Sequence, residues 1–330
     1  MSVTPIRRRS LGATGLMVSE IGFGTWGLGG DSYGSVDDAV SLRTLEAAYE
    51  RGINFFDTSD LYGQGRSERV LGQALAEVRD DVVIASKGGM LPHTGFTMTS
   101  DFSPAYLRGA LCRSLERLGT DYLDLYQLHS PEISELAANP AILEALRQFK
   151  AEGMIRHYGL SARSPADALA ALDLFDVSVV QVNFNLIDHR AKEQGIFEAA
   201  TRRGVGIIAR TPLCFGYLSG KLTGNEAFTG PDHRANWPVD QLRRWAEAPG
   251  LFDAMIRRRG CTPAQFALLF CLSQPAVSTV IPGLMSIAEV NEDVAAAELP
   301  ALTPEELAEI DVLYRSRQFY EPTAKARGKA

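Results

Sequence analysis

Gly22-Phe23-Gly24-Thr25-Trp26-Gly27 decides which of two folds this chain adopts. The six residues spell G-x-G-x-x-G, the spacing of a dinucleotide-binding turn between a strand and a helix. Such a turn works only if a helix opens directly after it, because the helix N-terminus holds the pyrophosphate. Here the next residues are Leu28-Gly29-Gly30-Asp31, and helical periodicity starts only near Asp37. The glycines are therefore read as a strand end and a tight loop. An open, doubly wound sheet loses its main support.

Working outward, short aliphatic or β-branched runs alternate with helical patterns. Strands are expected at Ile21–Thr25, Ile53–Asp57, Val82–Lys87, Leu123–His129, Ile155–Ser161, Val177–Val182, Val205–Arg210 and Ser278–Ile281. Helices are expected at Asp37–Arg51, Ala105–Leu118, Pro140–Glu152 and Ala191–Arg203, closed by Gly52, Gly119, Gly153 and Gly204. Ser103-Pro104 before the second helix, with Gly after its end, is the usual start and stop. Eight strands at βαβ spacing suit either an open sheet or a closed (β/α)8 TIM barrel. No composition shift divides the chain, so residues 1–330 are read as one domain. Ser10 to Ser19 reads as a β-hairpin before the first barrel strand. The longest irregular segment, Leu213 to Pro249, is a long loop after strand 7, with Gly216, Gly220, Gly224, Gly230 and Pro231.

Composition excludes several functions. The net charge of −7 offers no basic face, which argues against nucleic acid or an anionic membrane as partner. The one basic run, Arg7-Arg8-Arg9, is read as a solvated terminus. No signal core and no apolar run of membrane-spanning length is present. Cys112, Cys214, Cys261 and Cys271 show no metal-ligand spacing, so no metal is expected. A reduced, cytoplasmic protein is the expectation. The oligomeric state is not legible.

The chemistry lies on three successive strand ends. Asp57, Lys87 and His129 each close a strand, and Tyr62 follows Asp57 in the loop. Sequential parallel strands are usually neighbours, so their C-terminal ends bring these side chains together. In a barrel that face carries catalytic groups. Reducing a carbonyl needs hydride on carbon and a proton on oxygen. A phenol is a weak acid at neutral pH, and a nearby ammonium is expected to lower its pKa. Asp57 would hold Lys87 charged, and His129 would orient the substrate oxygen.

Gly52-Ile53-Asn54-Phe55-Phe56-Asp57-Thr58-Ser59-Asp60-Leu61-Tyr62-Gly63 resembles the active-site motif of the aldo-keto reductases. Asp121 to His129 is similar to that family's stretch around its histidine. Ile84-Ala85-Ser86-Lys87, Gln181-Val182-Asn183-Phe184-Asn185, Ile281-Pro282-Gly283 and the Leu11–Leu16 hairpin match as well. The resemblance implies a barrel, a nicotinamide cofactor (NADP or NAD) and no metal. It implies a tetrad of Asp57, Tyr62, Lys87 and His129, with Tyr62 as general acid and base. It further implies cofactor contacts from Thr25, Trp26, Asp57, Ser161, Gln181, Arg210, Thr211, Pro212, Leu213, Gly216, Lys221, Arg234, Gly283, Met285, Glu289, Glu292 and Asp293.

Three departures stand out. Arg210 replaces an aromatic that many relatives stack on the nicotinamide. Ala162 follows Ser161 where an amide or arginine is common. After Ile281-Pro282-Gly283, where relatives often carry Arg, Ser or Gln near a 2′-phosphate and end in Glu-Asn, this chain runs through Met285 to Glu289 and ends in Glu292-Asp293. A carboxylate there repels that phosphate and favours NAD, whereas Lys221 or Arg234 would favour NADP. The implied activity is interconversion of a carbonyl and an alcohol, on an aldehyde, ketone or sugar. A redox-sensing regulatory subunit that binds the cofactor without turnover is the alternative. Substrate choice is expected to rest on Trp26, Tyr33, Met90, His93, Phe96 and the loop after His129.

Overall fold

The computed structural model describes residues 6–320 apart from 94, 96, 97 and 231. Phe96 and Pro231, both named above, lie outside the described residues. One eight-stranded parallel sheet organises the chain. Its strands are β1 (Phe23–Gly24), β2 (Phe55–Asp57), β3 (Val83–Gly88), β4 (Leu123–His129), β5 (Ile155–Ser161), β6 (Val179–Asn183), β7 (Gly206–Arg210) and β8 (Val277–Ile281). They neighbour one another in chain order, and parallel bridges Ile21↔Val280 and Gly24↔Gly283 bring β8 back to β1. The result is a (β/α)8 barrel.

The G-x-G-x-x-G segment sits at this closure. A 3-10 turn, Trp26–Gly29, follows β1, and the first α-helix opens only at Asp38. Gly24 is required by proximity: a Cβ there would lie 2.9 Å from the carbonyl oxygens of Ile281 and Pro282. Gly22 and Gly24 let β1 approach β8, and no α-helix opens directly on the segment as a dinucleotide-binding turn requires.

Alternation sorts the side chains. Phe55, Val83, Ala85, Leu125, Val179, Ile208 and Ile281 point into the barrel and pack together with Leu11 and Val18. The intervening residues, such as Phe56, Ile84, Leu128, Leu160, Val180 and Ile207, join the larger core under the helices. Period two then carries each inward row upward: Phe55 to Asp57, Ala85 to Lys87, Leu125 to Gln127 and His129, Val179 to Gln181, Ile208 to Arg210.

The hairpin Arg8–Ser10 with Met17–Ser19 is antiparallel and covers the opposite end. Ala13 N donates to Gly204 O at 2.7 Å, and Ser19 N donates to Asn54 Oδ1 at 2.6 Å. These partners lie just before β7 and β2, so the hairpin plugs the barrel's N-terminal end. The basic run is only in part a solvated terminus: Arg7 and Arg8 are exposed, whereas Arg9 is drawn inward. Arg7 and Arg9 both pair with buried Glu20, at 2.9 and 2.7 Å. Arg9 also donates to the carbonyls of Leu272, Gln274 and Val277. A buried carboxylate and three carbonyls hold the Arg9 guanidinium in competition with water.

Two further readings change. Ala191–Arg203 is two helices, Arg190–Glu193 and Ile196–Arg203, because Gly195 at φ 74° breaks the ladder. The long loop ends earlier than Pro249: Val239–Leu251 is helical with Pro249 inside its last turns. Buried Leu242, Trp245 and Ala248 form its packed face, and Trp245 meets the rings of Phe215, Trp237 and Tyr320. Tertiary packing overrides the Gly and Pro signals there. Among the described residues no helix is long and apolar enough to cross a membrane.

Candidate active site

Asp57, Lys87 and His129 end adjacent strands at the barrel's C-terminal mouth, and Tyr62 stands above them. Among the described residues, the five non-glycine residues with positive φ, namely Gln64, Ser130, Thr211, Cys214 and Phe215, follow β2, β4 or β7 at this same end. Strained backbone of this kind costs of order 1–3 kcal/mol per residue and concentrates at functional sites.

Lys87 Nζ donates to Asp57 Oδ1, to Thr58 O at 2.9 Å and to the Tyr62 hydroxyl at 3.3 Å. The other carboxylate oxygen of Asp57 accepts from Gln181 Nε2 at 2.8 Å and Gln127 Nε2 at 3.2 Å. Every acceptor of the carboxylate is thus directed. Burial pulls the Lys87 ammonium down, but Asp57 and then Tyr62 outweigh it, and the net direction is up. Lys87 stays charged.

Tyr62 moves opposite to the sequence expectation. Burial, the largest cause, raises its phenol above the ordinary value, and the Lys87 ammonium only opposes that rise. Desolvation of a phenolate therefore beats one cation that Asp57 already neutralises. The resting group is a protonated phenol. His129 lies across from it, ring centres 6.0 Å apart and nearly perpendicular. Burial, then Lys87 and Arg210, push the imidazole well below its ordinary pKa, so it is neutral. Its Nδ1 meets Ser59 Oγ at 3.1 Å.

The remaining expected residues fall into three places. At the mouth, Ser161 Oγ donates to Gln181 Oε1 at 3.1 Å. Arg210 donates Nη2 to Ala162 O at 2.8 Å, while its buried Nε has no partner among the described residues. Thr211 Oγ1 contacts Asn183 Oδ1 at 3.0 Å, Pro212 is buried, and Leu213 and Gly216 are half-buried. Thr25 is turned inward: its N and Oγ1 both donate to Asp57 O at 3.0 Å. Trp26 faces Tyr62 at 6.3 Å.

A second group lies where the helix Ile287–Ala296 begins, beyond the open backbone of Gly283. Glu289 Oε2 accepts from Met285 N at 2.8 Å. Lys221 reaches this helix and pairs with Glu292 at 2.8 Å. Asp293 is 2% exposed; burial, then Glu292 and Glu289, hold its carboxyl well above the usual range. It is an internal group rather than a surface contact. Arg234, the third place, is engaged by Asp232 at 2.6 Å and lies over the rings of Tyr33 and Phe228.

Several neighbours had not been singled out. Gln127 sits two residues before His129 on one strand, and that spacing alone puts both on the inner face. His233 and Phe215 form an aromatic wall with Trp26 and Tyr33, with Trp26–His233 at 4.7 Å and Phe215–His233 at 4.6 Å. Nothing local signals this wall, because His233 comes from the far end of the long loop. Met90 opens the short antiparallel pair that follows β3, and His93 lies near enough to His129 to act on its charge.

The family model for the aldo/keto reductase family matches residues 20–315. The chain belongs to the aldo/keto reductase family. An uncharacterised oxidoreductase of Bacillus subtilis, YqkF, is 31% identical over 92% of this chain and 94% of its own. The holo form of aldo-keto reductase AKR11C1 from Bacillus halodurans superposes with a TM-score of 0.76 at 32% identity, over 93% of this chain and 96% of that one. The glycerol dehydrogenase AKR11B4 of Gluconobacter oxydans gives 0.79 at 29% identity, over 98% and 99%. Membership implies NAD(P)-dependent carbonyl and alcohol oxidoreduction.

Proposed function

We propose that this reductase moves a proton between Tyr62 and a substrate oxygen while carbonyl and alcohol interconvert. The observation that carries it is the continuous chain Asp57–Lys87–Tyr62 at the barrel mouth, its ion pair buried and its phenol half-buried, with neutral His129 beside it. A nicotinamide nucleotide fits the neighbouring residues. Buried Arg210 Nε is a donor without a partner among the described residues, and it stands by the Ser161–Gln181 pair. A carboxamide is the kind of group such donors and acceptors hold. When bound, the nicotinamide supplies or accepts the hydride.

This chain's residues do the rest. Tyr62, held as a phenol, gives its proton to the oxygen as negative charge develops there. Lys87 stabilises the phenolate left behind, at the atom it already touches. Asp57 keeps Lys87 protonated and placed. Trp26, Tyr33, Phe215 and His233 wall the mouth with aromatic surface and exclude water, which strengthens each polar interaction inside. Likeness to a glycerol dehydrogenase supports testing the alcohol-oxidising direction as well.

The test follows nicotinamide absorbance with NADH and NADPH against aldehydes, ketones and sugars, and with the oxidised cofactors against glycerol and other alcohols. Turnover is expected, and Tyr62→Phe should reduce it by about 10²–10⁴ while cofactor affinity stays within a few-fold. Tight cofactor binding without turnover of any substrate would favour a sensing subunit. Full activity in Tyr62→Phe would remove the phenol from the mechanism.

A further inference from the structure

Between the tetrad and the helix Pro104–Leu118 lies a polar line with no part in the reaction so far. Ser59 Oγ donates to Asp60 Oδ1 at 3.2 Å and meets His129 Nδ1 at 3.1 Å. It also accepts from Leu61 N at 3.2 Å. Ser59 and His129 are buried, at 0% and 7% exposure, and Asp60 is half-buried. Asp60 N donates to Lys87 O at 3.3 Å, which fixes its place in the loop. Among the described residues His129 Nε2 takes no hydrogen bond.

We propose that Asp60 is a positioning residue that, through the Ser59 hydroxyl, decides which imidazole nitrogen of His129 carries the proton. The inference rests on the proposed role of His129 toward a substrate oxygen. Ser59 has one hydrogen to give. When Asp60 is a carboxylate, the charged acceptor takes it. Nδ1 must then bear the ring proton and donate to Ser59 Oγ, so Nε2 is a bare lone pair. When Asp60 is protonated, the Ser59 hydrogen turns to Nδ1. The ring proton then sits on Nε2, where it can donate to a carbonyl or alkoxide oxygen. The imidazole is neutral in both states, and the one proton gained on acidification resides on Asp60.

The surroundings place this change near neutrality. Burial, then Glu68 of the helix Arg66–Leu75, push the Asp60 carboxyl up to about 7; Ser59, Arg117 and Arg113 oppose them. Tyr106 and Tyr126 also face it. Glu68 is itself bound to Arg117 at 2.6 Å and Ser86 at 2.6 Å. Lys87, Arg210 and His93 face His129 and disfavour an imidazolium, so a second proton does not go to the ring instead.

The sign follows. Reduction needs a donor on Nε2, so kcat/KM should fall as pH rises through about 7, by roughly tenfold, the size of one charge-assisted bond given up. The first measurement is a long-range proton–nitrogen spectrum of the apoprotein labelled at histidine. His129 should carry its proton on Nε2 at pH 6 and on Nδ1 at pH 8. The second is the pH profile of benzaldehyde reduction. Asp60→Asn and Ser59→Ala should both lack the limb near 7 and show one tautomer throughout, and Asp60→Asn should outrun the natural enzyme at pH 8. An unchanged tautomer across pH 7 in the natural protein would overturn the relay. So would a limb that survives in both variants. Absence of any carbonyl reduction would instead overturn the function proposed above, while the apoprotein spectrum still decides the relay. Should Asp60→Asn fail to fold, Ser59→Ala and the natural protein carry the test.

Discussion

Lys87 makes three contacts that do different work. Asp57 offsets its buried charge, Thr58 O fixes its direction, and Tyr62 receives its field. Lys87→Met should therefore fail in two separable ways. An uncompensated carboxylate would remain inside the barrel with only Gln127 and Gln181 as donors, which costs about 3 kcal/mol of stability. The phenol would lose the cation that holds its pKa down against burial, so the pH limb for alcohol oxidation should move upward and kcat should fall. Adding Asp57→Asn removes the stranded charge. The double variant should regain most of the stability in urea unfolding without regaining activity. Recovery of both would make Lys87 a purely structural residue. Asp57 and Lys87 were legible as residue types on strand ends, and Tyr62 as a loop residue after one of them; the Thr58 carbonyl contact was not. The net direction of the Tyr62 shift was not, because it depends on how deeply the loop after β2 buries the ring.

The helix Ile287–Ala296 argues its own case. Its N-cap is Ser286, and its first turn carries Glu289, whose carboxylate also accepts from Met285 N. A helix N-terminus favours an anion, but here the chain supplies one. Glu292 pairs with Lys221, the cation that reaches this helix from the long loop. The start of this helix is thus net negative; where a 2′-phosphate is to meet it, as the family resemblance implies, NADH should have the higher kcat/KM. Glu289→Gln should narrow the preference through NADPH alone, by about 1 kcal/mol or several-fold. Initial rates with both cofactors measure it; NADPH preference unaltered by the substitution would give the selection to the long loop. Glu289 and Lys221 were each visible in sequence, 68 residues apart by numbering. Only the folded loop shows that Lys221 answers Glu292 while Arg234 is held by Asp232.

At the scale of the molecule, the barrel has two ends with separate duties. The mouth collects polar side chains and strained backbone. The other end is sealed by the N-terminal hairpin, whose Leu11 and Val18 finish the inner apolar column. Leu11 is fully buried, and Leu11→Ala should cost about 3 kcal/mol through lost burial and a residual cavity. Because the tetrad lies at the far end of the column, kcat in a folded sample should change little. Thermal unfolding and initial rates on one preparation separate the two effects. A large kcat loss at full folding would show that the plug reaches the chemistry.

The division between sequence and tertiary structure runs along the range of the interactions. Alternation within a strand and caps within a helix are local, so β4 and β5 were readable to the residue and eight alternating strands could be counted, while spacing alone left open sheet and closed barrel both standing. The same local rule put Asp57, Lys87 and His129 on one rim. The G-x-G-x-x-G segment was also settled locally, by the lack of a helix after it. Tertiary structure decided whatever depends on distant partners. Trp245 packing makes a helix across Pro249, Glu20 draws in Arg9, and the long loop brings His233 onto Trp26. Protonation belongs to this second class. Desolvation is a property of everything packed around a group, so the charge states of Tyr62, Asp60, His129 and Asp293 exist only once the barrel has closed.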